Sequence, residues 1–295
     1  MSRRASLWGA AREVAGDYIR RVWSKADQDR IFFMAGAIAF NVLVAIVPLA
    51  LAAIGITGMV LQHRYEEESA ERLVSYLLQA LPPVSDEFTR NVATRLRPLL
   101  DQAGGFTSVG VAVFVWLATR LVGTLRTALR EVFDIHQDRS IIAGKLFDIQ
   151  MVIVAGSLLA VNIGFTIVMQ VLSRFGVEFL GLRAYDESVI FPLVAFISLY
   201  IMFALIYRYL PARRPQWRTA IIAATFTSVL FELLKQAFAW YVRRVDYSST
   251  YQNFAFLVIL VLYVYYMAII FILGGEVGQV AALRRVRRRQ KERLG

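Results

Sequence analysis

Long stretches without a single charged residue limit this chain to few folds. Ile31 to Leu61, Ile149 to Ser173, Val189 to Tyr207 and Phe254 to Gly275 are such stretches, each near the roughly 20 residues a helix needs to cross the hydrocarbon core of a bilayer. Thr219 to Val242 joins them once Glu232 and Lys235 are accepted inside it. Gly104 to Thr119 is cut short by Arg120, but its apolar pattern continues through Leu121, Val122, Leu125, Leu129 and Phe133. One helix that crosses the membrane and runs on into the cytoplasm is the expectation there. Backbone groups in lipid find no water to bond, so each span must be a helix that satisfies its own amides. The predicted fold class is all-α, a polytopic membrane helix bundle with six transmembrane helices. Composition agrees: 58% of the residues are hydrophobic and 19% charged, whereas soluble domains carry about 25% charge.

Charges between the runs predict the orientation. The loop Arg208 to Arg218 contains Arg208, Arg213, Arg214 and Arg218 and no acid, and the tail after Ala282 adds Arg284, Arg285, Arg287, Arg288, Arg289, Lys291 and Arg293. Residues 62 to 103 are slightly acidic instead, through Glu66, Glu67, Glu68, Glu71, Asp86, Glu87 and Asp101. Basic loops stay on the cytoplasmic side, which predicts that both termini are cytoplasmic. Ahead of the first run, Leu7, Trp8, Ala11, Ala15, Tyr18, Ile19 and Val22 recur at helical spacing. An amphipathic interfacial helix over 1–30 is expected, and with it a retained signal anchor in place of a cleaved leader.

The outer segment has its own pattern. Leu73, Val74, Leu77, Leu78 and Leu81 keep helical spacing up to Pro82 and Pro83, and Phe88, Val92, Leu96, Leu99 and Leu100 resume it. Two short amphipathic helices on the outer face are predicted. The domain plan is therefore a cytoplasmic or interfacial helix over 1–30, a transmembrane domain over 31–283 with an outer insertion at about 62–103, and a basic cytoplasmic tail over 284–295.

Several function classes find no chemistry here. No cysteine is present, and the two histidines, His63 and His136, are expected on opposite sides of the membrane. Metal clusters and thiolate nucleophiles are thus out of reach, and no fingerprint for nucleotides, dinucleotides or a serine nucleophile occurs. The expectation is a non-enzyme without cofactor or metal. The net charge of +11 sits at the flanks of apolar spans, as topology requires, so no nucleic-acid partner is expected.

Polar groups inside spans are costly and face the bundle interior, a wet cavity or each other. Glu232 and Lys235 stand three apart on one helix with Gln236 beside them. They read as a neutralised packing pair or as a polar patch on a substrate path. Arg120, Thr124, Thr127 and Glu131 follow a helical stripe with Arg126 and Arg130 to one side. That stripe is either a solvated extension or a cationic groove for anionic headgroups. Asn41 and Pro48 fall in the first span, where the proline frees a carbonyl near Val44, as a packing kink or a hinge facing a cavity. Glu276 follows Gly274 and Gly275 and is expected at the inner interface near basic groups.

The run Ala35-Gly36-Ala37-Ile38-Ala39-Phe40-Asn41-Val42-Leu43 leading to Pro48-Leu49 resembles the opening signature of the YihY/BrkB family. Leu125-Arg126-Thr127-Ala128-Leu129-Arg130-Glu131-Val132-Phe133, Tyr209-Leu210-Pro211 with Trp217-Arg218, and Gly274-Gly275-Glu276-Val277 are similar to later motifs of that family. One departure is Tyr251-Gln252-Asn253-Phe254, where the family more often enters the last span with Tyr-Gly. The resemblance implies six transmembrane helices, residence in the bacterial inner membrane and a role in moving lipid or envelope precursors. The expected function is transporter-like, moving or binding a lipid or another amphiphilic anionic envelope molecule. Its partners are anionic membrane lipids and, further, envelope proteins. The alternative is a non-transporting scaffold or regulator of envelope integrity.

Overall fold

A computed structural model describes residues 20–61, 103–135, 142–154, 187–244 and 252–294, together with Gly16, Tyr18 and Ser157. Every regular element among the described residues is helical. We label them α1 (Arg20–Gln28), α2 (Ile31–Leu61), α3 (Ala103–Val132), α4 (142–154), α5 (Glu187–Tyr209), α6 (Trp217–Arg244) and α7 (Gln252–Leu294). The predicted outer helices and most of the span expected over Ile149 to Ser173 lie outside the described residues.

Local chemistry explains the helix ends. Between α1 and α2 the axis turns by 65°, and Arg30 sits there with a φ of 51°, a left-handed conformation few side chains adopt. The Arg30 carbonyl accepts from Phe33 and Met34 and so starts α2. At the end of α3, Asp134 has a φ of 52°, its N–H bonds Glu131 O at 3.0 Å, and Ile135 N–H bonds Arg130 O at 2.9 Å. This is the paired closure that satisfies the last carbonyls of a helix. Helix α2 continues through Pro48.

Among the described residues, Ala112–Val132, Trp217–Val242 and Leu257–Glu292 are long and apolar enough to cross a membrane, and α1 with the first part of α2 makes a fourth if the bent pair is one span. Helix α7 continues past the uncharged run that ends at Gly275 and through the arginine-rich tail, 43 residues in all. Its roughly 65 Å, at about 1.5 Å per residue, far exceed a hydrocarbon core of about 30 Å. Arginine is a good helix former, so nothing in the tail breaks the helix once the apolar part has set it.

The chain divides into two compact units. One takes in Met1–Met34, Leu125–Leu230 and Ile269–Gly295, and the other Ala35–Thr124 and Phe231–Ala268. In the first, Tyr207 is fully buried and stacks on Phe271 with ring centres 5.1 Å apart. Its hydroxyl shares a 2.7 Å hydrogen bond with Thr227 and donates to Phe271 O at 2.5 Å. Gly274 makes this packing feasible, because a Cβ there would collide with Thr227 Oγ1 and stand 2.8 Å from Tyr207 Oη. In the second unit, Ala39, Leu260, Tyr263 and Val264 form the core with Leu43, Leu234 and Phe238 against it. Phe238 meets Tyr263 edge to face at 5.1 Å.

Polarity is distributed as lipid demands. Thr119, Thr219, Thr227, Ser228 and Glu276 are buried, while Phe33, Phe40, Trp116, Ile197, Leu233 and Val258 are exposed. A water-soluble protein would bury such apolar side chains; in hydrocarbon, exposing them costs nothing and the polar groups turn inward.

Candidate functional site

The connection from α5 to α6 is stiffened by arginine and aromatic side chains. Pro211 is buried, and the Arg208 guanidinium donates to Pro215 O while lying 5.3 Å from the centre of the Trp217 ring. Arg214 lies 5.2 Å over Tyr209, and Tyr209 meets Trp217 edge to face at 6.0 Å. Guanidinium planes stack well on aromatic faces. Gln216 O then accepts from Thr219 and Ala220 and opens α6.

This clasp forms one wall of a cavity of about 400 Å³. The connection and the first turn of α6 supply Arg213, Arg214, Pro215, Gln216, Arg218 and Thr219. Helix α7 supplies Gln279, Ala282, Arg285, Val286 and Arg289, one helical face, and Phe133 and Ile135 close the remainder. Among the described residues, five of those lining it are arginines and none is acidic. Arg285 Nη1 is buried with no hydrogen-bond partner among the described residues, a condition proteins rarely leave unmet. Converging guanidinium groups are equipped to hold an anion.

Behind Gln279 lies a charged cluster. Gln279 Nε2 donates to Asp134 Oδ2 at 3.2 Å, and Lys25 Nζ reaches Asp134 Oδ1 at 3.2 Å, Asp29 Oδ2 at 2.9 Å and Glu276 Oε2 at 3.8 Å. The N-terminal segment is held to α7 next to it. Tyr18 Oη donates to Val277 O at 2.6 Å under the Arg284 guanidinium, 4.8 Å from the ring centre. Burial raises the Tyr18 phenol above its ordinary value, with Arg284 and Arg285 pulling against that rise.

The residues singled out in the sequence divide between the units. Asn41, Pro48, Arg120, Thr124, Glu232, Lys235 and Gln236 belong to the second, and Arg126, Thr127, Arg130, Glu131 and Glu276 to the first. In the second, Asn41 Nδ2 donates to Thr124 Oγ1 at 3.1 Å and to Ala37 O at 2.9 Å. Thr124 Oγ1 also donates to Arg120 O at 3.0 Å. Glu232 and Lys235 form an ion pair at 2.6 Å; Arg120 and Gln236 are exposed, and Pro48 is half-buried. In the first unit, Arg126 is engaged with the buried Asp148 through contacts of 3.3 and 3.4 Å, past Gly144, where a Cβ would stand 2.6 Å from Arg126 Nη1. Arg130 and Glu131 approach to 3.5 Å, and Glu131 and Thr127 are exposed.

None of these residues lines the arginine cavity. In the sequence its arginines stand first as markers of orientation. Two signals pointed further: an arginine-rich loop with no acid, and Gln279, Ala282, Val286 and Arg289 repeating on one helical face.

Fold and site together define a helical, multi-pass membrane protein with a cationic recess. The chain belongs to the YihY/BrkB family: the family model described as virulence factor BrkB matches residues 22–294. Similar proteins include UPF0761 membrane proteins. The one from Methylibium petroleiphilum is 27% identical over 266 residues, 90% of this chain and 62% of the relative. That from Ralstonia nicotianae is 24% identical over 254 residues, 86% and 56%, and that from Halorhodospira halophila 28% over 278 residues, 92% and 57%. The chain thus spans somewhat over half the length of these relatives. No solved structure matches it.

Proposed function

We propose that this chain is a non-enzymatic protein of the bacterial inner membrane that binds and moves a lipid or another amphiphilic anion. In this reading it has six spans, both termini are cytoplasmic, and it takes no nucleic acid. One observation carries the reading: five arginines and, among the described residues, no acid line a recess on a frame of membrane-spanning helices. An anionic headgroup would enter the recess while its apolar part stays in lipid against the exposed side chains of the helices. The basic loop and tail support the orientation through their charge.

A second reading, a non-transporting scaffold or regulator, is favoured by two pairs that neutralise themselves, Arg126 with Asp148 and Glu232 with Lys235. The two separate on reconstitution into vesicles carrying a fluorescent anionic phospholipid. Transport predicts movement of the probe between leaflets, lost when Arg213, Arg214 and Arg285 are changed together to Gln. Binding without movement favours the scaffold, and probe behaviour unaltered by the three changes in a folded protein sinks the leading reading.

A further inference from the structure

We propose that the arginine recess is a site for an organic diphosphate, and that a diphosphate group is preferred over the phosphodiester of ordinary anionic phospholipids. The proposal deepens the anion-binding reading above and rests on it.

Charge is the first argument. Among the described residues the lining has five guanidinium groups and no carboxylate, and such cations repel one another until an anion arrives. A phosphodiester brings one negative charge and two free oxygens. A terminal diphosphate brings more charge and more acceptors, spread over two linked centres. Guanidinium forks take phosphoryl oxygens two at a time, and here forks come from two directions, Arg213, Arg214 and Arg218 on one side and Arg285 and Arg289 on α7. One phosphoryl group cannot face both sets as well as two in series can.

Size and lining are the second. About 400 Å³ is at the lower end of ligand cavities, ample for two phosphoryl groups with bound water but too small to admit acyl chains as well. The apolar side chains of Phe133, Ile135 and Val286 lie on the same lining and suit the first atoms of an organic substituent. Free inorganic diphosphate would leave them unused.

Pre-organisation is the third. Arg285 Nη1 is buried and has no acceptor among the described residues, and a buried donor left unsatisfied is costly. Arg214 is held on the face of Tyr209, and the Arg208 bond to Pro215 O holds the loop. Arg214 and the loop backbone are thus set before a ligand arrives, which lowers the ordering cost of binding.

The shared chemistry, an organic diphosphate, has two sources: a membrane-anchored isoprenoid diphosphate or a soluble nucleoside diphosphate. The full chain in nanodiscs of zwitterionic lipid would be titrated calorimetrically with farnesyl diphosphate, ADP, inorganic diphosphate, inorganic phosphate and glycerophosphoglycerol. The expected result is at least tenfold tighter binding of the organic diphosphates than of glycerophosphoglycerol or phosphate. Arg213→Gln and Arg285→Gln should each weaken it about tenfold or more, since a charge-assisted hydrogen bond contributes about that much. Arg244→Gln, a cation outside the recess that stacks on Trp240, should leave it unchanged. Farnesyl diphosphate ahead of ADP assigns the lipid source, and the reverse order the soluble one. Equal affinity for diphosphates and the phosphodiester, still dependent on Arg213, overturns the diphosphate assignment and leaves the anion reading standing. Absence of any binding that depends on Arg213 or Arg289, an exposed residue whose change to Gln spares the fold, overturns both.

Discussion

Lys25 Nζ lies 3.8 Å from Oε2 of Glu276, a carboxyl with no exposure to solvent. Asp29 and Asp134 reach the same ammonium, so three carboxyls converge on one cation, and of the three Glu276 is the one that water cannot help. Removing one partner of a buried pair costs about 3–5 kcal/mol, while removing both can be neutral. Lys25→Met should therefore lower the unfolding temperature sharply in mild detergent, followed by circular dichroism. Lys25→Met combined with Glu276→Gln should recover most of that loss. A single variant as stable as the wild type would show that Glu276 needs no counter-charge.

Gly274 tests the packing of α7 directly. A methyl at this position falls on Thr227 Oγ1 and crowds Tyr207 Oη and Ala223 O, two of them held in place by their mutual hydrogen bond. Gly274→Ala should prevent accumulation of folded protein, with overpacking costing about 1–3 kcal/mol or more. Gly36→Ala meets nothing within 4 Å and should be neutral or stabilising by up to about 1 kcal/mol, because alanine is the better helix former. Adding Thr227→Ala to Gly274→Ala should restore part of the yield on size-exclusion chromatography. Equal yields for both glycine variants would contradict the close approach.

What the sequence discloses depends on how far apart the partners lie along it. The bounds of α2, Ile31–Leu61, follow from the lack of charge between Arg30 and His63, a purely local property. The Glu232 and Lys235 pair is also local, since residues three apart meet on a helix. Arg126 could be read as a cation for headgroups, but its engagement with Asp148 depends on where a helix 22 residues away comes to rest. The arginine recess is harder still. Arg213 and Arg289 are remote in sequence, and each serves topology equally well wherever the other lies. Helical spacing in α7 shows which residues share a face, and only the packed structure shows what that face meets.

Asn41 and Thr124 offer a measure of polar packing between α2 and α3. Their hydrogen bond is 3.1 Å long, and each side chain also has a carbonyl of its own helix in reach. Interhelical hydrogen bonds in membrane proteins average about 0.6 kcal/mol because alternative partners exist, and both residues have one. A double-mutant cycle of Asn41→Ala and Thr124→Val should return a coupling of about that size and not above about 1.7 kcal/mol. Zero coupling would mean that each side chain is content with its own helix.

Glu232 and Lys235 decide between packing and passage. Their 2.6 Å pair leaves the side chains 37% and 41% exposed, and the Lys235 ammonium also lies 5.8 Å from the centre of the Phe231 ring. Neither residue lines the arginine recess. A lone charge at the centre of a membrane helix costs about 2.5–3.5 kcal/mol on insertion scales, so Glu232→Gln or Lys235→Met alone should reduce the amount of inserted protein. The double variant should insert normally, since no charge is left to neutralise. In that double variant, anionic probe binding in vesicles should equal the wild type while leaflet exchange reports on the path. Exchange that persists marks the pair as a packing device, whereas exchange lost with binding intact places Glu232 and Lys235 on the route the amphiphile takes.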